Sequence, residues 1–455
     1  MSIDFPKNWK QVVLEDALDA LIDYRGKTPK KVDKGIPLIT AKVVKSGRIL
    51  PMDEFIADED YESWMVRGIP QISDIVVTTE APLGEVAQIK NANVALAQRI
   101  VTLRGKVDFL ENDFLLFLMQ SDFVQNQLEA RATGSTVKGI KQSELRKIIL
   151  PIPPIAEQKC IGKILSDLDD KIHLNNQINQ TLESIAQAIF KSWFIDFEPV
   201  RAKIAAKQNG ADPELAAMCA ISGKSKTELE QMASDDFAEL QATAALFPDE
   251  LVESELGEVP KGWEVTAFGD IAELCKGTIN PQSQKDVLFN HYSLPAYDNS
   301  KLPFLEKGES IKSNKTLVPD DTVLISKLNP RIPRIWYIGT VDENAICSTE
   351  FIVFRPLKNL SSSFIYCYAT SLKFLESLQQ LVTGTSNSHQ RVKPEQIKTI
   401  CEIASNNDLR IHFSKMMDSI FLEILKNRKE SENLAELRDS LLPKLLSGEV
   451  SLDMV

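Results

Sequence analysis

Three short runs in this chain of 455 residues hold residue types capable of chemistry. Asn329-Pro330-Arg331-Ile332 begins like the Asn-Pro-Pro-Tyr motif with which amino-methyltransferases hold a target base nitrogen, but it lacks the second proline and the aromatic. Gly134-Ser135-Thr136-Val137-Lys138-Gly139-Ile140-Lys141 has the glycine, hydroxyl and lysine of a phosphate loop. Its lysine falls one place late, and a helical stretch rather than a strand precedes it, so no nucleotide site is expected. Asp196 and Glu198 have the types of an acid–base pair. At a helix end, beside Phe194, Ile195 and Phe197, they read better as capping or packing groups. His173, His291, His389 and His412 are scattered, and the six cysteines show no Cys-x-x-Cys spacing. No catalytic set, metal site or cofactor of the chain's own is therefore expected.

What the chain does hold is two basic loops. After Thr133-Gly134-Ser135-Thr136 come Lys138, Lys141, Arg146 and Lys147; after Thr383-Gly384-Thr385-Ser386 come His389, Gln390, Arg391, Lys393 and Lys398. Glycine and small hydroxyl residues let backbone amides approach phosphates, and lysine and arginine supply sequence-independent attraction. Lys327-Leu328-Asn329-Pro330-Arg331-Ile332-Pro333-Arg334 puts three cations on one loop, where an arginine could read guanine in a major groove. Arg25, Lys27, Lys30 and Lys31 cluster near the start. The candidate DNA contacts are Arg25, Lys27, Ser135, Lys138, Lys141, Lys327, Arg331, Arg334, Arg391 and Lys393. The competing reading makes each a solvated surface charge, and recurrence in both halves weighs against it.

That recurrence belongs to a duplication with a period near 250. Pro6-Lys7-Asn8-Trp9 returns as Pro260-Lys261-Gly262-Trp263, and Ser73-Asp74-Ile75-Val76 as Asp320-Asp321-Thr322-Val323. The alternating segment Arg99–Arg104 matches Glu350–Arg355, as half-buried strands should. One helical stretch follows in each half, about 109–131 and 362–381, before the Thr-Gly loop. Each half reads as mixed α and β, closed by a long helix.

The closing helices carry regular apolar spacing. Ile161, Ile164, Leu168, Lys171, Asn175, Ile178, Leu182, Ile185 and Ile189 step by three and four, as do Phe413, Met416, Ile420, Glu423, Asn427, Glu430, Leu434, Leu437 and Leu441. Both read as heptad seams of a coiled coil. If the helices pair antiparallel about a pseudo-twofold axis, Asn175 faces Asn427, and an amide pair in an apolar seam fixes register. Lys171 and Glu423 occupy matching positions beside them. The alternative leaves both asparagines in solvent. A helix of about 35 residues spans on the order of 50 Å. Two such antiparallel rods would hold the halves at opposite ends, a symmetry suited to half-site reading.

Composition sets the class. A charged fraction of 25% and a hydrophobic fraction of 43% suit a globular protein of two or three domains. The net charge of −12 looks unfavourable for a nucleic-acid ligand, but between Lys226 and Lys261 there is no basic residue and there are ten carboxylates. Outside that stretch 52 cations face 54 carboxylates, which leaves room for local basic patches. No apolar run reaches membrane-spanning length and no secretory signal opens the sequence, so a cytoplasmic protein with no membrane contact is expected.

Four stretches together resemble one known family, the specificity subunits of type I restriction–modification systems. They are the paired Pro-Lys-x-Trp openings; Thr133-Gly134-Ser135-Thr136 through Lys141-Gln142-Ser143-Glu144-Leu145 to Pro151-Ile152-Pro153-Pro154-Ile155-Ala156-Glu157-Gln158; Leu182 to Arg201, with Phe190-Lys191-Ser192-Trp193-Phe194-Ile195-Asp196-Phe197-Glu198-Pro199-Val200-Arg201; and Leu437 to Glu449, with Leu441-Leu442-Pro443-Lys444-Leu445-Leu446. The central stretch is the most specific. The second half departs from the pattern after its basic loop, with Ile403-Ala404-Ser405-Asn406-Asn407 where the first is proline-rich.

The resemblance implies target-recognition domains at 1–153 and 259–405 and helical spacers at 154–200 and 406–455; the acidic stretch 201–258 between them reads as a partly mobile linker, helical around Asp212–Met218 and Lys226–Ala245, with no assignable task. It implies a bipartite double-stranded DNA target, two modification subunits and restriction subunits as partners. S-adenosylmethionine, ATP and Mg would then sit on those partners, and this chain would be the non-catalytic reader. A two-domain protein-binding scaffold without nucleic acid is the main competing function; a single-chain methyltransferase or nuclease is the other.

Overall fold

The computed structural model describes residues 5–134, 137–254, 257–382 and 390–450. The chain divides into two compact units, one of residues 1–174 with 431–455, the other of residues 175–430.

The first unit is built on an antiparallel sheet in the order Leu18–Asp23, Ile100–Gly105, Ile75–Thr79, Leu83–Gln88. Its middle strands are buried except at Arg104, because both faces are covered. Ile75, Val77, Val101 and Leu103 pack beneath Phe114, Leu115 and Leu118 of the helix Asn112–Gln120. Val76, Ala87 and Ile100 face the other way, toward a parallel strand pair in which Leu38 lies opposite Ala95. A strand at the start of the chain, Lys10–Val13, pairs antiparallel with Ile149–Ile152 just before the long helix.

The second unit repeats this plan. The sheet order is Ala272–Leu274, Phe351–Pro356, Thr322–Ser326, Ile335–Ile338. Val323 and Ile325 pack under Phe364 and Ile365, while Leu324 faces Trp336 and Tyr292. Strands Leu288–Tyr292 and Ala345–Cys347 form the parallel pair, and Glu264–Ala267 ties to Cys401–Ala404. Where the sequence suggests one helix in each half there are two. Ser121 and Ser371 turn extended and accept bonds from the backbone N–H of Val124 and Phe374, which restarts the helix after each serine.

Residues 198–245 contain the helices expected around Asp212–Met218 and Lys226–Ala245, and pack them into a small folded unit where a partly mobile linker was expected. They form helices Glu198–Gln208, Pro213–Ser222, Lys226–Leu229 and Ser234–Ala245 around a small core of Ala217, Met218, Leu229 and Ala244. The local signals are strong: Asp212 caps ahead of Pro213, and Ser225 with Glu228 makes a capping box. Lys203 is buried, with Nζ donating to Glu214 at 2.7 Å and to the Phe247 carbonyl at 2.9 Å.

The long helices Ile155–Phe194 and Asn407–Ser447 run antiparallel wherever they pair. In the first unit Ile161 and Leu165 share a core with Leu445 and Leu446, and Arg438 reaches Asp169 at 2.9 Å. In the second unit Phe190 packs on Phe413, and the Arg428 guanidinium donates to Glu183 at 2.6 Å. The polar layer is present in the seam, but its register differs from the expected one. Asn427 donates to Asn179 at 3.0 Å, and Asn175 donates to Glu430 at 2.8 Å; the expected Asn175–Asn427 pair is not made. The buried positions join Ile161 and Asn175 to Gln158, Leu165, Asn179, Ala186 and Trp193, a seven-residue repeat whose second position lies one residue beyond the expected Ile164, Lys171, Ile178 and Ile185. Ile178 and Ile185 are consequently exposed, and so is Lys171. Glu423 is also exposed, facing Lys426 at 3.6 Å. Lys171 and Glu423 therefore do not line the seam.

Candidate nucleic-acid interface

In each unit one short junction gathers most of the predicted cations. At the end of strand Ile75–Thr79 the Thr79 carbonyl accepts from the N–H of Ile140, and Thr79 donates to the Arg99 carbonyl. At the end of strand Thr322–Ser326 the Lys327 carbonyl accepts from Val392, and Lys327 donates to the Glu350 carbonyl. Both pairs are 3.0 Å or shorter. The loop after the Thr-Gly run is thus stitched to a strand end by the same backbone bonds twice. The sheet dictates this, since Arg99 and Glu350 immediately precede equivalent strands.

The side chains there differ in freedom. In the first unit Lys27 and Lys141 are exposed, and Lys138 is exposed but held by Glu129. Arg25 does not project outward. Its Nη1 donates to the Ile140 carbonyl at 2.9 Å and its Nε lies 3.4 Å from Asp23. Arg25 therefore fastens the loop to the sheet across 115 residues of sequence. Arg146 and Lys147 lie away from the junction, on Glu15 and Glu144. Ser135, Thr136, residues 383–388 and His389 lie outside the described residues.

In the second unit Arg331 and Lys393 are exposed and Lys327 is half-buried. Arg391 lies side-on against Glu350, at 3.1 and 3.2 Å. Arg334 is clamped by both oxygens of Asp298 at 2.7 and 2.8 Å, which raises the pKa of its guanidinium and turns it into a brace for the loop.

Sequence reasoning missed the carboxylates that hold these cations, because Asp298 and Glu350 are 36 and 41 residues from their partners. It also missed Arg67, whose Nη1 bonds the Asp23 and Arg25 carbonyls, and the Arg99–Glu80 pair at 2.9 Å. Arginines flanking a predicted strand were the available signal.

The runs that imitate catalytic motifs have structural duties. Gly134 has φ near +109°, and a Cβ there would lie 2.2 Å from the Val137 carbonyl oxygen, so glycine serves the turn. Asp196 is held by Lys191, and Glu198 accepts from the Ser192 hydroxyl. Phe190, Trp193, Phe194 and Phe197 belong to the core. Among the described residues no cluster of three or more histidine, cysteine or carboxylate groups could hold a metal, and no helix is long and apolar enough to cross a membrane.

Comparison with known proteins gives a consistent result. The type I restriction modification DNA specificity domain matches residues 6–184 and again 260–400. The HindI specificity subunit of Haemophilus influenzae is 32% identical over 384 residues, covering 79% of this chain and 82% of the relative. The MjaIX specificity subunit of Methanocaldococcus jannaschii is 23% identical over 486 residues, covering 98% and 95%. The crystal structure of the type I S subunit from M. genitalium shares the fold, with a TM-score of 0.52 at 16% identity over 100% of this chain and 99% of that one. With the family domain matched once in each half of the duplication, the chain belongs to the type I restriction–modification specificity subunits, non-catalytic chains that recognise DNA.

Proposed function

We propose that this chain reads a bipartite double-stranded DNA target, one half with each copy of the stitched junction, and docks modification and restriction subunits of a type I complex. The recognition domains would be residues 1–153 and 259–405, with the long helices as spacers and docking surfaces. S-adenosylmethionine, ATP and Mg would be bound by the partners, and no cofactor by this chain. One observation carries the reading: the same backbone junction is built twice, and each copy presents exposed cations, Lys27 and Lys141 in one, Arg331 and Lys393 in the other. Lysines there supply phosphate attraction, and Arg331 has the reach for a base edge. Two equivalent helical segments also suit two equivalent partners.

The test is genomic adenine methylation mapped by sequencing, with the gene intact, deleted, or carrying Arg331→Ala. The expected pattern is a split motif that vanishes on deletion and relaxes in one half only with the variant. A continuous motif, or no change on deletion in a strain whose modification subunit is active, would overturn the reading. A protein scaffold would give no salt-dependent DNA retention even with partners present.

A further inference from the structure

The fourth residue of each long helix is buried, and the two copies treat it differently. In the first unit it is Gln158, wholly buried and fully bonded: Oε1 accepts from the Glu111 N–H, and Nε2 donates to the Phe109 and Pro153 carbonyls, all at 2.9 Å. In the second unit it is Arg410, 8% exposed, in the first turn of the helix Asn407–Ser447. Its Nε is buried without a hydrogen-bond partner, and among the described residues no carboxylate pairs with it. Desolvation lowers the pKa of the guanidinium, and no neighbouring charge opposes the shift. A cation in the first helical turn also meets the positive end of the helix dipole. Burial, dipole and lack of a counter-charge all oppose this arginine.

Arg410 lines a small pocket with Thr266, Ser405, Phe190, Phe194 and Ile403. The space there, about 10 Å³ for the centre of a water-sized body, holds one small body. We propose that this pocket binds a single halide ion, chloride under ordinary conditions, with Arg410 as its counter-charge. The helix end adds favourable potential for an anion. The ion would hold the start of the helix against the segment Ile403–Ser405, as Gln158 holds the other helix start to Phe109, Glu111 and Pro153 by hydrogen bonds.

The test uses the purified full chain at constant ionic strength, exchanging gluconate for chloride or bromide. Halide should raise the melting temperature saturably by a few degrees, since a ligand of the native state stabilises it. Arg410→Gln, which copies the other unit, should abolish that dependence. Should the variant fold poorly, bromide-soaked crystals of the unaltered chain give an independent answer, with an anomalous peak expected beside Arg410. An equal halide response in the variant, or no peak in the pocket, would overturn the proposal. Neither result bears on DNA reading, which involves other residues.

Discussion

At the residue scale, the charged groups divide into those bound to carboxylates and those left in solvent. Lys141 and Lys393 are exposed, so alanine at either should weaken binding to all DNA sequences alike. Each should reduce the slope of log affinity against log salt by about one, read from DNA retention of the assembled complex at several salt concentrations. Arg334, braced by Asp298, should behave differently: Arg334→Ala should lower the melting temperature of the free chain. The buried amides obey the cost of unpaired polar groups. Asn427→Ala leaves the Asn179 oxygen without its donor and should cost about 1–3 kcal/mol in denaturant unfolding. Leucine at both positions should instead raise the melting temperature while loosening register, because an amide pair trades stability for specificity. His291 sets a pH dependence. Burial pushes its imidazole below the ordinary histidine range, reinforced by Lys315 and opposed by the carboxylate of Glu306. The folded state thus prefers the neutral ring, and the unfolded chain takes the proton first. Stability is complete above about pH 6.5, the unfolded histidine value, and declines as pH falls below it. His291→Gln should flatten that decline in thermal melts between pH 7 and 5.

At the scale of elements, each Pro-Lys-x-Trp corner anchors the end of a long helix. Trp9 donates to Glu157 near the start of one helix at 3.3 Å, and Pro6 lies against Gly448 at the end of the other. Trp263 packs edge-on against Phe197, at the end of the central helix. Gly448 has φ near +73°, and a Cβ there would fall 2.1 Å from Pro6 Cγ. Gly448→Ala therefore meets both backbone strain and a clash. It should destabilise the first unit by about 1–3 kcal/mol, seen as early exchange of amides in Lys10–Val13 and Ile149–Ile152 while the second unit keeps its protection.

At the scale of the molecule, the duplication is structural as well as sequential. Both units own a four-stranded antiparallel sheet covered on two faces, a parallel strand pair, a tie strand and an antiparallel helix pair. A chain that only recognises DNA should transfer no methyl group from labelled S-adenosylmethionine when purified alone. Turnover by the isolated chain would contradict its membership of a non-catalytic family.

The amino-acid order alone determined the duplication, the strand periodicity and the presence of two long helices, because these are local patterns repeated at matching positions. It also located the basic loops, whose composition is independent of folding. Only tertiary structure decided which cations are free, since Arg25, Arg334 and Arg391 meet partners distant in sequence. Register, too, was decided there: packing buries Leu165, Asn179, Ala186 and Trp193, each one residue beyond an expected seam position or its heptad equivalent, and so brings Asn179 opposite Asn427. The acidic stretch folded for a related reason. Its helices around Asp212–Met218 and Lys226–Ala245 are legible from local signals, but only their packing on one another and the burial of Lys203 turn them into a folded unit.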